Sequence, residues 1–412
     1  MPNCRCSRRF SIAASLRVML CQGLPELHLN LEPTKFMNSP TESPPAAPPV
    51  ATGHPTLEDS ASAMPAIAEW KKIVAKYQEP SIWRATWQLT NTLGAYALTW
   101  YLMYRSLSVS YWLTFPLAVL AGALLVRVFI IFHDCGHGSF FKSRLANSIV
   151  GFISGMLTLT PFYHWRWEHS LHHATSGDLD RRGVGDVWTL TVQEYIESSR
   201  WKRFAYKLAR NPVVLFIIAP LFLFIVRQRI TTPGAKWRER LSVWWMNLAL
   251  LAMATGLSFI FGIKAYILIQ LTVTMVAGGL GVWMFYVQHQ FEGVYWERAP
   301  EWDYTAAALQ GSSFYKLPRV LQWFSGNIGY HHIHHLSPRI PNYNLQACHE
   351  SHPMFHQVEP VTLITSLKSL TFRLWDEQSK KLVGYRRMRE LRREQKAQEQ
   401  HNSTTPPASH EV

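Results

Sequence analysis

"YWLTFPLAVLAGALLVRVFIIFHDCGH", residues 111–137, decides the fold. Up to Phe132 it is almost wholly apolar, with Arg127 its one charge. That is enough to cross a ~30 Å hydrocarbon core, which takes about 20 residues of helix. It then runs straight into His133 and His137, spaced i,i+4 and so on one helical face. Such a pair can bind one metal ion or flank two.

Three other runs are as apolar, and the four expected membrane spans are 87–104, 111–132, 243–261 and 265–287. Trp and Tyr crowd their ends (Trp100, Tyr101, Tyr111, Trp112, Trp244, Trp245, Tyr286), as interfacial belts do. The expected fold is an all-α integral membrane protein with a cytoplasmic helical cap. Shorter runs at 149–159 and 211–226, the latter broken by Pro220, are expected to be interfacial or re-entrant.

The net charge of +14 could suggest nucleic acid, but no recognition motif accompanies it. Its placement points to lipid. The links at 105–110 and 262–264 carry one basic residue each, whereas 142–240 carries fifteen. Basic loops stay cytoplasmic, so both termini and the large loops are expected inside, against anionic headgroups. Of the five cysteines, Cys4, Cys6 and Cys21 lie in the N-terminal arm. Cys135 and Cys348 are expected to face the cytosol, reduced.

Residues 1–65 are rich in Pro, Ser and Ala and read as a disordered arm. Arginines 5, 8, 9 and 17 without an acid in the first 25 residues resemble an organellar transit segment. A start placed upstream of Met64 fits as well. The membrane domain is expected over 66–375. A basic, largely disordered tail is expected over 376–412, its helical part solvated or on the membrane surface.

Two more histidine clusters follow the first. "HSLHH" holds His169, His172 and His173; "HHIHH" holds His331, His334 and His335 in the same HxxHH register, with His332 extra. The last two histidines of HxxHH point about 100° apart on a helix, which suits two neighbouring metals better than one tetrahedral site. His289, in "YVQHQFE" at the inner end of the fourth span, is a further candidate. So many imidazoles exceed the four ligands that close a structural zinc site, and no HExxH motif is present. Ligand type alone does not choose among Zn, Cu, Fe and Ni. If 149–159 and 211–226 stay uncrossed, all clusters share one side of the membrane and can meet.

"HDCGHGSFF", "HWRWEHSLHHATSGDLDRRG" and "GNIGYHHIHHLSPRIPNYNL" resemble the three histidine boxes of the membrane fatty-acid desaturases, over about residues 70–360. In detail they look most like bacterial acyl-lipid desaturases of the Δ12 (omega-6) type. The resemblance implies a non-haem centre of two iron ions that uses O2 and two electrons to remove two hydrogens from an acyl chain. It implies His133, His137, His169, His172, His173, His289, His331, His334 and His335 as metal ligands. It also implies an acyl-lipid, acyl-CoA or acyl-carrier substrate, and a bacterial inner membrane. No haem-binding module is visible, so a separate electron donor such as ferredoxin or cytochrome b5 is expected. A hydroxylase of the same superfamily is the alternative. A metal transporter would need ionisable residues at mid-membrane, and the spans offer few.

The remaining candidates have plainer readings. His332 and His164 are expected to support or pack beside the site, and His349, His352 and His356 to be surface residues. Asp134 either orients a first-box imidazole or caps a helix. Asp178, Asp180 and Asp186 either order the loop after the second box or meet the electron donor. Cys135 reads as a small buried residue. Arg127 either snorkels to the interface or meets a substrate headgroup.

Overall fold

The long helices begin and end where local chemistry directs. Helix α1 (Ile82–Leu107) starts at Ser81, whose hydroxyl accepts the Arg84 N–H, and α2 (Tyr111–His137) starts at Ser110, which accepts from Trp112. Gly138, at φ +72°, supplies the left-handed cap that stops α2 just after His137. Two bent pairs follow. Helix α3 (Arg144–Leu157) turns by 97° into α4 (Phe162–Thr175). The helix Arg200–Ala209 meets the segment Val214–Arg229 at 64°; that segment holds a π turn and the short α5 (Ala219–Ile225). Then come the long α6 (Trp237–Phe261) and α7 (Ile263–His289), and in the C-terminal part α8 (His331–Leu336) and α9 (Asn342–Glu350).

This is a computed structural model, describing residues 67–358, 360–391, 393 and 397. The expected arm at 1–65 and the end of the tail lie outside the described residues. Those from Lys72 onward belong to one compact unit.

Among the described residues, α2, α6 and α7 are long and apolar enough to cross a membrane, and counting each bent pair as one span gives up to five. Helix α1 overlaps the expected 87–104 span and exceeds it at both ends. With Arg84, Gln88, Asn91 and Arg105 it is the least apolar of the long helices. The run at 149–159 falls at the 97° bend, and the run at 211–226 falls in the π turn and α5. Helix α6 buries only Ser242, Val243 and Met246 and leaves Trp244, Trp245, Leu248, Leu251, Phe259 and Ile260 exposed. An apolar surface of that extent is suited to lipid.

Helices α1, α2 and α7 bury a common core of Tyr96, Trp100, Met103, Leu124, Leu125, Val128, Ile269 and Val273. Gly122 on α2 lets α7 come close: a Cβ there would stand 2.5 Å from Val276 Cγ1. Arg127 departs from both expected roles. It is buried, its Nε donates to Thr92 Oγ1 at 3.1 Å, and its Nη1 donates to the Trp323 carbonyl. Its guanidinium lies 4.1 Å from the Trp323 ring centroid, so the charge is spent tying α1 and α2 to the segment before α8.

The fold is mostly helical rather than all-α. Strands β1 (Leu190–Thr191), β2 (Phe314–Lys316), β3 (Pro360–Thr362), β4 (Leu374–Asp376) and β5 (Lys381–Val383) form two small sheets, β1-β4-β5 and β2-β3. β1 and β4 run parallel, β4 and β5 antiparallel, and β2 and β3 parallel. Strands of two or three residues carry too few positions for an alternating pattern, so the sequence does not announce them. The hairpin of β4 and β5 buries Trp375, so order continues past residue 376, where a tail was expected.

Candidate metal centre

The inner end of α2, the bend helix α4, the last residue of α7 and the short α8 converge, and their histidines sort into two groups. His133, His137, His169, His173 and His334 form one; His172, His289, His331 and His335 form the other. Within each group the candidate ligand atoms lie within 4.8 Å of one another. All nine residues named from the sequence are thus brought together. Each HxxHH box sends its first and last histidines (i and i+4) to one group and the middle one (i+3) to the other. The divergence expected from 3.6 residues per turn is realised in both boxes.

Hydrogen bonds fix which ring nitrogens face inward. Asp186 Oδ1 lies 2.6 Å from His172 Nδ1, and the Gly311 carbonyl 3.2 Å from His289 Nδ1. A carboxylate and a carbonyl only accept, so both Nδ1 atoms carry the proton, and in the neutral ring that ligates metal Nε2 presents its lone pair. These two Nε2 atoms are 3.2 Å apart, with no hydrogen between them. Two facing lone pairs at that distance repel unless a cation sits beside them. His331 Nε2 lies 3.0 Å from the same His289 Nε2. In the other group His173 Nε2 is 3.1 Å from His169 Nε2 and 3.0 Å from His334 Nε2. Ligands bound at ~2.0–2.1 Å and at right angles on one metal stand about 3 Å apart. The donor set therefore fits metal ions, and imidazole nitrogen suits first-row transition metals.

Burial, reinforced by neighbouring imidazoles, holds His331, His334 and His335 well below the usual histidine range, so they are neutral near pH 7. Neutral imidazole is the form that ligates. Behind the ligand atoms sits a second layer. Asp134 Oδ1 lies 3.0 Å from His133 Nδ1, while Oδ2 accepts the Asn342 backbone N–H at 2.6 Å and its side-chain amide at 2.8 Å. Asp134 thus takes both expected roles, orienting His133 through Oδ1 and capping the start of α9 through Oδ2. Asp186 Oδ2 also accepts the Gly183 N–H at 3.1 Å, and Gly185, at φ +77°, leaves room for His172, whose Cβ would be 3.1 Å from an added Cβ.

The other acids of that loop order it. Asp178 is buried and accepts the Asp180 and Arg181 N–H groups at 2.8 and 3.1 Å, and Asp180 accepts the Ala299 N–H and pairs with Arg298. Sequence reasoning gave Asp186 only the roles of loop or docking residue and missed its contact with His172. The usable signal was that metal-bound histidines generally donate their second N–H to a carboxylate. His164 is buried and accepts the Thr232 N–H at 3.0 Å, a packing role. Cys135 is buried, as expected, and so is Cys348.

His332 joins neither group. Its Nε2 faces His349 Nδ1 at 3.1 Å, and both rings are buried beside Phe314. His349 was expected on the surface, and that is corrected: α9 turns it inward against Phe314 and Tyr330. His356 is exposed, and His352 is half-buried with its Nδ1 accepting the Met354 N–H. Burial and the neighbouring His356 hold His349 down to about 4. The unfolded chain takes up that proton near pH 6.5, so folding loses stability as pH falls from about 6.5 toward 4. The melting temperature of purified protein should drop over this window, and less steeply in His349→Gln. An unchanged slope in that variant would remove His349 from the effect.

An apolar cavity of about 280 Å³ opens onto the groups: His133, His169 and His331 share its lining with Leu125, Phe129, Ile130, Trp165, Phe224, Val282 and Phe285. Clustered histidines able to hold metal, facing an apolar cavity between helices apolar enough to span a bilayer, fit the class of membrane proteins with a metal centre. Residues 110–361 match the family model for fatty acid desaturases. The chain is 48% identical over 320 residues to a fatty acid desaturase of Bacillus subtilis, covering 78% of this chain and 91% of that one. It is 27% identical over 276 residues to the sn-1 acyl-lipid omega-3 desaturase (ferredoxin) of Synechocystis, covering 63% and 70%. To the chloroplastic omega-6 fatty acid desaturase of Brassica napus it is 30% identical over 249 residues, covering 58% and 54%. The chain belongs to the fatty acid desaturase family.

Proposed function

We propose that the protein is an O2-dependent di-iron desaturase that places a double bond in the acyl chain of a membrane lipid. The observation that carries this reading is the convergence of nine histidines into two groups, with His172 and His289 facing each other through Nε2, beside an apolar cavity. The group of five and the group of four each hold one iron, with all nine histidines as ligands. The irons, when bound, supply the oxidant for an unactivated C–H bond, which no side chain can provide. The chain's own residues do the rest. Asp134, Asp186 and the Gly311 carbonyl hold three imidazoles in the ligating tautomer. Leu125, Phe129, Val282 and Phe285 exclude water and hold the acyl chain along the centre.

Four spans (α1, α2, α6 and α7) with the bent pairs uncrossed keep the histidines and both termini on the cytoplasmic side of a bacterial inner membrane, where a ferredoxin-like or cytochrome b5-like donor delivers electrons. The membrane domain begins near residue 66. The Δ12 (omega-6) position is supported by the detail of the boxes and by relatives bearing omega-6 and 12-desaturase names. Expression in a host that makes only monounsaturated lipids, followed by fatty-acid profiling and metal analysis, tests the whole reading. The expected result is a diunsaturated product and about two irons per chain. An alcohol product, or one tightly held zinc in active protein, would overturn it.

A further inference from the structure

A second cavity, of about 250 Å³, lies beyond the first, and the two share only Leu159, Phe224 and Thr274. Along α7 the first cavity runs from Gln288, beside the metal centre, to Thr274, about 21 Å at the helical rise; the second continues to Tyr266, about 12 Å further. The second is lined chiefly by Leu250, Met253, Ile267 and Leu271 and holds no histidine or acid. Its polar groups are largely occupied. Gln270 donates to Thr274 Oγ1 at 3.0 Å, and Arg229 uses Nη1 on Asn247 and Nη2 on the Leu159 carbonyl, leaving only Nε without a partner. Such a chamber suits the hydrocarbon end of a lipid.

The three shared residues differ in how firmly they are held. Thr274 is fixed on a long helix by its neighbour Gln270. Leu159 sits at φ +55°, a conformation a branched residue keeps only when clamped, here by Arg229. Phe224 is on the short α5, which follows a π turn, an irregularity frequent at functional sites. Its ring lies against Gly278 of α7, where an added Cβ would come within 3.3 Å of it, and 6.5 Å from Phe129, the ring that leads back through Trp165 to His169. Thr274 is tied through its hydroxyl and Leu159 through its backbone carbonyl. Phe224, the largest of the three side chains, stands at the junction on a short helix with no hydrogen bond from its ring.

We propose that Phe224 is the length gate for the acyl chain: with its ring in place the methyl end stops in the first cavity, and with the ring turned aside it enters the second. This rests on the desaturase reading above and names the specificity residue of that site. The test feeds a homologous series of monounsaturated acyl chains to cells making the full-length protein and profiles the diunsaturated products. Phe224→Ala should raise the ratio of long-chain to short-chain product, by roughly tenfold per methylene admitted. Leu271→Trp, which fills only the second cavity, should lower that ratio. If Phe224→Ala does not accumulate, Phe224→Leu should shift the ratio the same way by less. Ratios unmoved in both cavities' variants would overturn the gate with the function intact. No diunsaturated product from the unaltered protein at any length would sink the function itself, and the gate with it.

Discussion

His173→Ala is expected to abolish desaturation and to lower the metal content of the purified protein. His173 Nε2 stands 3.1 and 3.0 Å from the Nε2 atoms of His169 and His334, and its ring lies 4.2 Å from His335 of the other group. Removing it takes a donor from one set and the contact that joins the two. Loss of a partner behind a ligand typically costs ~10–100-fold in metal affinity or activity, so loss of a ligand itself should exceed that. His332→Ala is the control from the same cluster. It should keep its metal and most of its activity but melt lower, because the buried His349 loses its partner at a cost of about 1–3 kcal/mol. Equal loss of metal in the two variants, measured at matched protein level, would show that the grouping is wrong.

Asp186→Asn is expected to weaken metal retention and activity by about 10–100-fold while leaving the fold intact. The aspartate accepts the His172 proton at 2.6 Å; an amide placed there can turn its NH2 toward the ring and favour the other tautomer, taking the Nε2 lone pair away. Asp180→Asn in the same loop is the comparison. Its pair with Arg298 is substantially exposed, and exposed pairs contribute about 0–1 kcal/mol. Metal content after dialysis and turnover of both variants separate the cases; no difference between them would deny Asp186 its orienting role.

What could be read from the sequence followed the strength of the periodic signals. The sorting of the boxes was legible because it depends only on residues per turn within one helix. His289 was legible because an imidazole closing an apolar run is conspicuous. His349 was not: its burial depends on α9 lying across Phe314 and Tyr330, which are far from it in sequence. The Asp186–His172 contact depends on a loop whose course is set by glycines and by Asp178, features that carry no period. Arg127 was misjudged for a similar reason, since its partners Thr92 and Trp323 come from opposite ends of the chain. Helix α1 runs beyond the expected 87–104 span because Arg84 and Arg105, both exposed, bound the apolar run without ending the helix.

The exchange of middle histidines between the groups also governs when the protein can be completed during synthesis. The group of five requires His334, and the group of four requires His289, His331 and His335. Neither set closes while the ribosome is still short of residue 335, although α2, α6 and α7 have all emerged by then. Under the proposed two-ion reading, neither group can be completed until these helices have been made. On that reading every copy therefore passes through a metal-free stage, and a chain truncated before the third box lacks donors from both groups.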